Sequence, residues 1–381
     1  MKIALYYPWV YLTSGAERSI LELVKRSHHN WTIFTNHFDS EHTYPEFRKL
    51  KLVELRKVSV DRSFSKVMAA ALRIVLQKLD LENFDALLVV CEGIGDMIVF
   101  RNHAKPVFCL CLTPLRPVFD PYYKAAYLNG KGLYAKLKLS LFGTAFTFLD
   151  RLSWKYYKHI LCISRESYKR VLAGRLAKEE KMGLAFPGID FSGFHPTGHF
   201  QKYFLLPGRI MWTKNIELGI KAFQKFRRDC PVGDQFRLII AGIVDSKSKV
   251  YFSKLRDIVG LGNGIEFVIH PNDQMLFELY DRAYAVLFTP FNEDWGLIPL
   301  EAMAYGKTVI AVNSGGPLET IIHGENGFLA EPKPEDFAHY MASLATSPDT
   351  ARLMGEKGRR HVQRYDWKYF INTIDDMIDN A

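Results

Sequence analysis

The chain has 381 residues, 48% of them hydrophobic and 24% charged, which excludes a disordered chain and suits two ordinary domains better than one. It contains no apolar run of the roughly 18 residues that a membrane-spanning helix needs, and the apolar part of MKIALYYPWVYL is too short for a secretory leader. The net charge of +9 is one-sided: residues 1–190 carry 29 Lys and Arg against 18 Asp and Glu, residues 191–381 carry 21 against 23, so the first half suits phosphate, nucleic acid or an anionic membrane surface without choosing among them.

Along the chain, KIALYYP reads as a first strand, followed by a helix from Gly15 to about Ser27 and a second strand, WTIFTNHF. LVELR, a helix over 65–79, DALLVVCE, VFCLCLT, a long helical segment, HILCIS, a further helix and GLAFPG complete a first series. A second series starts near residue 200 with YFLLPGR and a helix over 215–229. It runs on through FRLIIAG, IEFVIH, YAVLFTP and KTVIAVN, with helices between them. Continuous apolar strands separated by helices imply parallel sheets covered on both faces. The stretch FPGIDFSGFHPTGHFQ, with three glycines and two prolines, reads as the linker. The fold class expected is therefore α/β, two doubly wound Rossmann-like domains. Residues 1–190 form the first, joined by a C-terminal helix over 366–381 that crosses back, and residues 191–365 form the second.

Five cysteines (Cys91, Cys109, Cys111, Cys162, Cys230) sit mostly in apolar strands and read as buried free thiols. His28–His29, His270 and His323 show no ligand spacing.

In open parallel sheets, ligands lie beyond the C-terminal strand ends, where helix N-termini present backbone N–H groups. Two domains of this kind, set face to face, would line a cleft with such ends. In FNEDWGLIPLEAMAYG, Glu293 falls on the loop after YAVLFTP, and Gly296 and Leu297 offer N–H groups where the next helix starts. Glu301, about one turn into that helix, has the placing of an acceptor for a vicinal diol. A solvated loop carboxylate and a partner of the helix dipole are the plainer readings of the two glutamates. In PGRIMWTKN, Arg209 and Lys214 flank the turn before a helix and suit a diphosphate, or are solvated cations. In YLTSGAERSILELV, Gly15 permits close backbone approach to a phosphate or sugar, or makes a plain turn. Neither G-x-G-x-x-G nor G-x-x-x-x-G-K-[ST] occurs, which removes support from nicotinamide and P-loop readings.

Together these stretches resemble the retaining family 4 glycosyltransferases of GT-B fold. SGAER is similar to the family's G-G-A-E-R loop, GRIMWTKNIELGIKAF to its G-R-x-x-x-x-K segment, and PFNEDWGLIPLEAMAYGKTVIAVNSGGPLETI to its E-x7-E signature with the trailing G-G. FPGID and DWKYFINTI resemble the opening of the family's linker and its C-terminal helix. The resemblance implies that Arg209 and Lys214 hold a donor diphosphate, Glu301 the ribose and Glu293 the transferred sugar. It also implies backbone donors at Gly296 and Leu297, and close approach at Gly15. CLCLTPLRPVFDPYY resembles the mannosyltransferase-like branch, with Leu112 where that pattern has a histidine facing the donor sugar. Thr113 and Arg116 are candidate contacts to acceptor or phosphate, an ion pair of Arg116 with Asp120 being the alternative. Residues 122–181 hold 13 Lys and Arg against 4 Asp and Glu, interleaved with Tyr122, Tyr123, Tyr127, Trp154, Tyr156 and Tyr157. They read as a long surface helix with core aromatics, or as a patch that rests on anionic lipid.

The expected function is transfer of a hexose-type sugar from a GDP- or UDP-linked donor to an acceptor hydroxyl on a lipid-linked or polysaccharide glycan. The resemblance implies retained configuration by a front-face mechanism, in which the leaving phosphate helps deprotonate the acceptor and no protein base is named. No D-x-D motif occurs, and no metal or other cofactor is expected where Arg209, Lys214 and helix dipoles neutralise the leaving group. The expected partners are the donor, the acceptor and an anionic membrane, without nucleic acid, in a cytoplasmic protein peripheral at the inner face of the plasma membrane. Two other readings stand beside it: a nucleotide-sugar-binding subunit without catalysis, supported by Leu112, and an epimerase on the same fold.

Overall fold

The computed structural model describes residues 1–61, 63–245, 247–260 and 262–380. They divide into two compact units, Met1–Pro187 with Trp367–Ala381, and Gly188–Asp366. The first unit is built on strands β1 (Lys2–Tyr6), β2 (Asn30–Thr35), β3 (Leu52–Glu54), β4 (Ala86–Glu92), β5 (Val107–Thr113), β6 (Tyr157–Cys162) and β7 (Met182–Leu184). They form one parallel sheet in the order β3-β2-β1-β4-β5-β6-β7. All seven residues of β5 and six of the seven in β4 are buried, as expected of central strands covered on both faces. The five cysteines are buried and unbridged.

Helices α1 (Gly15–Arg26), α2 (Phe64–Leu76), α3 (Arg116–Phe119), α4 (Pro121–Leu128), α5 (Leu133–Ser153) and α6 (Arg165–Ala173) connect these strands. The long helical segment expected after β5 is thus three helices. Asp120 caps α4 by accepting from Tyr123 N–H at 3.0 Å with Pro121 in the first turn, and Gly130, at φ +73°, separates α4 from α5.

The second unit carries β8 (Tyr203–Pro207), β9 (Arg237–Gly242), β10 (Ile265–Ile269), β11 (Ala285–Phe288), β12 (Thr308–Val312) and β13 (Gly327–Ala330) in a parallel sheet ordered β10-β9-β8-β11-β12-β13. Its helices are α7 (Ile216–Asp229), α8 (Lys249–Val259), α9 (Asp273–Arg282), α10 (Leu297–Ala304), α11 (Pro317–Thr320), α12 (Pro334–Thr346) and α13 (Pro348–Val362). Strand β13 is additional to the sequence reading: its four residues are flanked by turns and only half of them are buried, which leaves little apolar signal.

The last helix, α14 (Trp367–Asp379), belongs to the first unit and packs against α1. Trp367, Phe370, Ile371, Ile374 and Ile378 are all buried, one face at helical spacing.

Both sheets are wound in two directions from a central pair, β1 and β4 in one, β8 and β11 in the other. Loops leaving such a pair on the C-terminal side diverge and open a crevice. The loops after β8 and β11 carry Arg209, Lys214 and Glu293.

The second core is aromatic around Phe204, whose ring meets Phe226 edge-on at 5.3 Å, stacks on Phe236 at 5.4 Å and meets Tyr284 at 6.0 Å. Phe204→Ala should cost about 3–5 kcal/mol, read as a lowered urea-unfolding midpoint with an unchanged slope. A loss below 1 kcal/mol would place the anchor of this core elsewhere.

Candidate functional site

At the switch point of the second sheet, Lys214 Nζ lies 2.8 Å from Glu293 Oε1, both side chains only partly exposed. Lys214 closes a short helical turn before α7 and is followed by Asn215 in the left-handed region at φ 48°. Its carbonyl accepts from Thr289 Oγ1 at 2.7 Å, which ties the loop after β8 to the end of β11. Arg209, half-buried, leaves the same loop five residues earlier.

Glu293 is positioned from behind by its own backbone. Gly316 N–H donates to Glu293 O at 2.8 Å. A Cβ on Gly315 would fall 2.2 Å from Glu293 O, and one on Gly316 would fall 1.9 Å from Trp295 O. No side chain fits there, so the glycine pair lets the loop after β12 press on residues 293–295. A similar contact shapes the Arg209 loop, since a Cβ on Gly242 would lie 1.8 Å from Gly208 O. Trp295 is buried and meets Tyr365 edge-on at 5.5 Å.

Helix α10 starts at Leu297 behind Gly296, whose φ of +93° favours glycine and whose lack of a side chain leaves the N-cap without a side-chain hydrogen bond. Pro299 in the first turn supplies no N–H, so the backbone donors at this end come from Gly296, Leu297 and Ile298. Glu301, one turn further, accepts from the Tyr280 hydroxyl at 2.8 Å. Burial first, then the Glu301 charge, pushes the Tyr280 phenol well above its ordinary pKa, so it remains a donor. The Tyr280 ring stacks on Tyr305 at 5.9 Å. Tyr280 and Thr289 escaped the sequence reading because nothing in their spacing from Glu301 and Lys214 marks a contact between α9 and α10 or between β11 and the Lys214 turn.

In the first unit, Gly15 opens α1 just after the N-cap Ser14, on the loop that leaves β1 at that sheet's switch point. Behind it, Glu17 is buried, receives the Ser14 hydroxyl and accepts from Leu12 N–H at 3.2 Å. Burial raises the Glu17 carboxyl to about 7, against the lowering effect of its Ser14 hydrogen bond, with Glu92 adding to the rise.

Thr113 and Arg116 are drawn into a buried polar network. Arg116 donates to Asp120 Oδ2 from Nε at 3.0 Å and from Nη2 at 2.9 Å. Arg170 reaches the same carboxylate oxygen at 3.2 Å and donates to Thr113 Oγ1 at 3.0 Å. Of the two readings left open for Arg116, the ion pair with Asp120 is the one present in this geometry. Leu112 is buried at the end of β5.

Residues 193–361 match the family model of the glycosyl transferases group 1. The chain is 31% identical over 191 residues to an alpha-1,3/1,6-mannosyltransferase ALG2 of Dictyostelium discoideum, an alignment covering 47% of this chain and 46% of that protein. It is 26% identical over 387 residues to the ALG2 of Mus musculus, covering 91% of this chain and 88% of that one. Among solved structures, Anabaena HepE in complex with UDP and glucose superposes over 100% of both chains with a TM-score of 0.76 at 16% identity, which shows the shared GT-B fold.

The raised Glu17 carboxyl has a consequence for stability. Its folded-state value lies above the ordinary 4.5, so its contribution is fully present below about pH 4.5 and is lost as pH rises through about 7. Glu17→Gln should therefore gain stability relative to the parent chain between pH 5 and pH 8, measured by denaturant midpoints at both values. Equal pH slopes for the two proteins would contradict this.

Proposed function

We propose that this chain, a mannosyltransferase-like glycosyltransferase of GT-B fold, moves a hexose-type sugar from a GDP- or UDP-linked donor to a hydroxyl of a lipid-linked glycan, retaining anomeric configuration. The observation that carries the donor side is the Lys214–Glu293 pair beside the start of α10, at the switch point of the second sheet. A cation, a carboxylate and outward backbone N–H groups at one strand end are what a sugar joined to a diphosphate requires. Lys214 and Arg209 neutralise the diphosphate as the glycosidic bond breaks. The N–H groups of Gly296 and Leu297 donate to the diphosphate oxygens and stabilise part of the developing charge. Glu293 hydrogen-bonds the sugar hydroxyls, and Glu301, aligned by Tyr280, takes the ribose diol. Gly15 admits close approach at the head of α1. In the front-face route the departing phosphate oxygen takes the acceptor proton, so these residues bind, orient and stabilise without a dedicated base. The donor cradle consists of protein cations and backbone donors, so the proposed reaction relies on no metal or further cofactor there.

The first unit supports the acceptor side through its surface. Leu133, Tyr134, Leu137, Leu141 and Phe148 stand exposed along α5, and Phe64, Met68, Leu72 and Leu76 stand exposed on α2, which α5 meets where Phe142 packs on Phe64 at 5.6 Å. Lys131 sits over the Tyr127 ring at 3.2 Å and Lys138 over the Phe64 ring at 4.2 Å. Apolar side chains fringed by amines match a membrane interface with anionic headgroups, where a lipid-linked acceptor would be presented. Among the described residues, no helix is long and apolar enough to cross a membrane. A peripheral seat, facing the compartment that supplies the nucleotide sugar, follows from this reading.

Lys214→Ala and Glu293→Ala should each lower sugar transfer at least 100-fold, about 2.7 kcal/mol or more of transition-state stabilisation, with unchanged circular dichroism. Donor-induced thermal shifts with GDP- and UDP-sugars would identify the donor. Donor binding without transfer to any glycan acceptor would favour a binding subunit instead. Separately, Leu137→Glu with Leu141→Glu should reduce co-sedimentation with phosphatidylglycerol vesicles several-fold while sparing the donor-induced shift. Unaltered sedimentation would remove the membrane from this account.

A further inference from the structure

His28 and His29 follow α1 directly, and in the fold they meet Asp375 and Asp379 near the end of α14. His28 Nε2 lies 2.9 Å from Asp379 Oδ2, and its Nδ1 lies 3.1 Å from Asp375 Oδ2. His29 Nε2 is 3.5 Å from Asp379 Oδ1 and 3.9 Å from Asp375 Oδ1. The His29 side chain is 1% exposed, and its Nε2 has no hydrogen-bond partner. A buried imidazole nitrogen aimed at a carboxylate, yet too far to share a hydrogen with it, is expensive unless a further group joins them. Burial first, and the neighbouring His28, push the His29 imidazole below its ordinary pKa against the opposing pull of Asp375 and Asp379.

One ligand atom from each of His28, His29 and Asp379 lies within 4.8 Å of the others. Metal–ligand bonds of about 2.0–2.2 Å set tetrahedral ligands roughly 3.3–3.6 Å apart, so small side-chain movements would bring the three atoms onto one ion. Asp375 is itself held, accepting from Ser27 Oγ at 2.6 Å and His28 N–H at 3.3 Å. It stands behind His28 Nδ1 as the outer carboxylate of a metal-binding histidine usually does.

We propose that His28 Nε2, His29 Nε2 and the Asp379 carboxylate bind one divalent cation of the zinc class, with Asp375 orienting His28 and water completing the shell. Two imidazole ligands with one carboxylate favour zinc, cobalt or nickel over magnesium or calcium. The ion clips the C-terminal helix to the end of α1 and the start of β2. It shares no residue with the donor site and is independent of the reading given for that site.

The test is a titration of the EDTA-treated full chain with zinc chloride by calorimetry, with cobalt(II) as the spectroscopic probe. One equivalent should bind, cobalt should give visible absorption of an N/O-ligated ion, and amide exchange along α14 should slow several-fold. His28→Ala and Asp379→Asn act on side chains that are 61% and 44% exposed, so the metal-free fold should persist while each weakens binding at least tenfold. Asp375→Asn should weaken it about 10–100-fold. Absence of saturable binding overturns the proposal. So does a single equivalent that survives both His28→Ala and Asp379→Asn, which would assign the ion to other ligands.

Discussion

Gly316 donates its N–H to the carbonyl of Glu293 across a contact that only a residue without a Cβ can make. That constraint sets the loop after β11, and the chemistry proposed for the second unit depends on it. With the backbone of 293–295 pressed by Gly315 and Gly316, the Glu293 carboxylate is left to meet Lys214 at 2.8 Å. Thr289 holds the Lys214 carbonyl from the opposite side. The two charged groups are thus placed by main-chain contacts, which vary little with solvent or ionic strength, rather than by their mutual attraction, which screening weakens.

Sheet topology accounts for why this happens where it does. Strands β8 and β11 are adjacent in the sheet, yet their helices leave in opposite directions, so their C-terminal loops part and α10 begins in the gap. The start of α10 behind Gly296, which has no side-chain cap, then supplies partial positive charge close to the loop after β8, where a Cβ on Gly208 would lie 3.2 Å from Ile298. Tyr280 adds a feature of a different kind. It fixes the orientation of Glu301 through a phenol that burial keeps protonated, so the carboxylate is aligned by a donor that does not titrate in the working range.

The first unit uses its polar groups differently. Arg116, Arg170, Asp120 and Thr113 form a buried network that ties the turn after β5 to α6, an arrangement that competes with contact to a ligand phosphate. At the other end of the same unit, α14 brings two carboxylates to the paired histidines after α1. In both places a buried charge is held by several partners, as the cost of desolvation demands.

The α/β class, two series of strands, the positions of Glu293, Arg209 and Lys214 on post-strand loops, of Gly15 at the head of α1 and of Glu301 inside α10 were legible in the chain. Buried parallel strands write themselves as continuous apolar runs, and turns before helices write themselves as glycine with flanking charge. The three-way break of the segment after β5 was also written there, in Asp120-Pro121 and Asn129-Gly130, but the helical run on either side masked it. What the sequence could not carry is the pairing of residues far apart along it: Tyr280 with Glu301, Thr289 with Lys214, Arg170 with Asp120, and His28 and His29 with Asp375 and Asp379. Those contacts arise only once the sheets have set their strand order and α14 has packed on α1. Side-chain hydrogen bonds and ion pairs depend on distances of a few ångströms in space, and spacing along a chain constrains such distances only within one element.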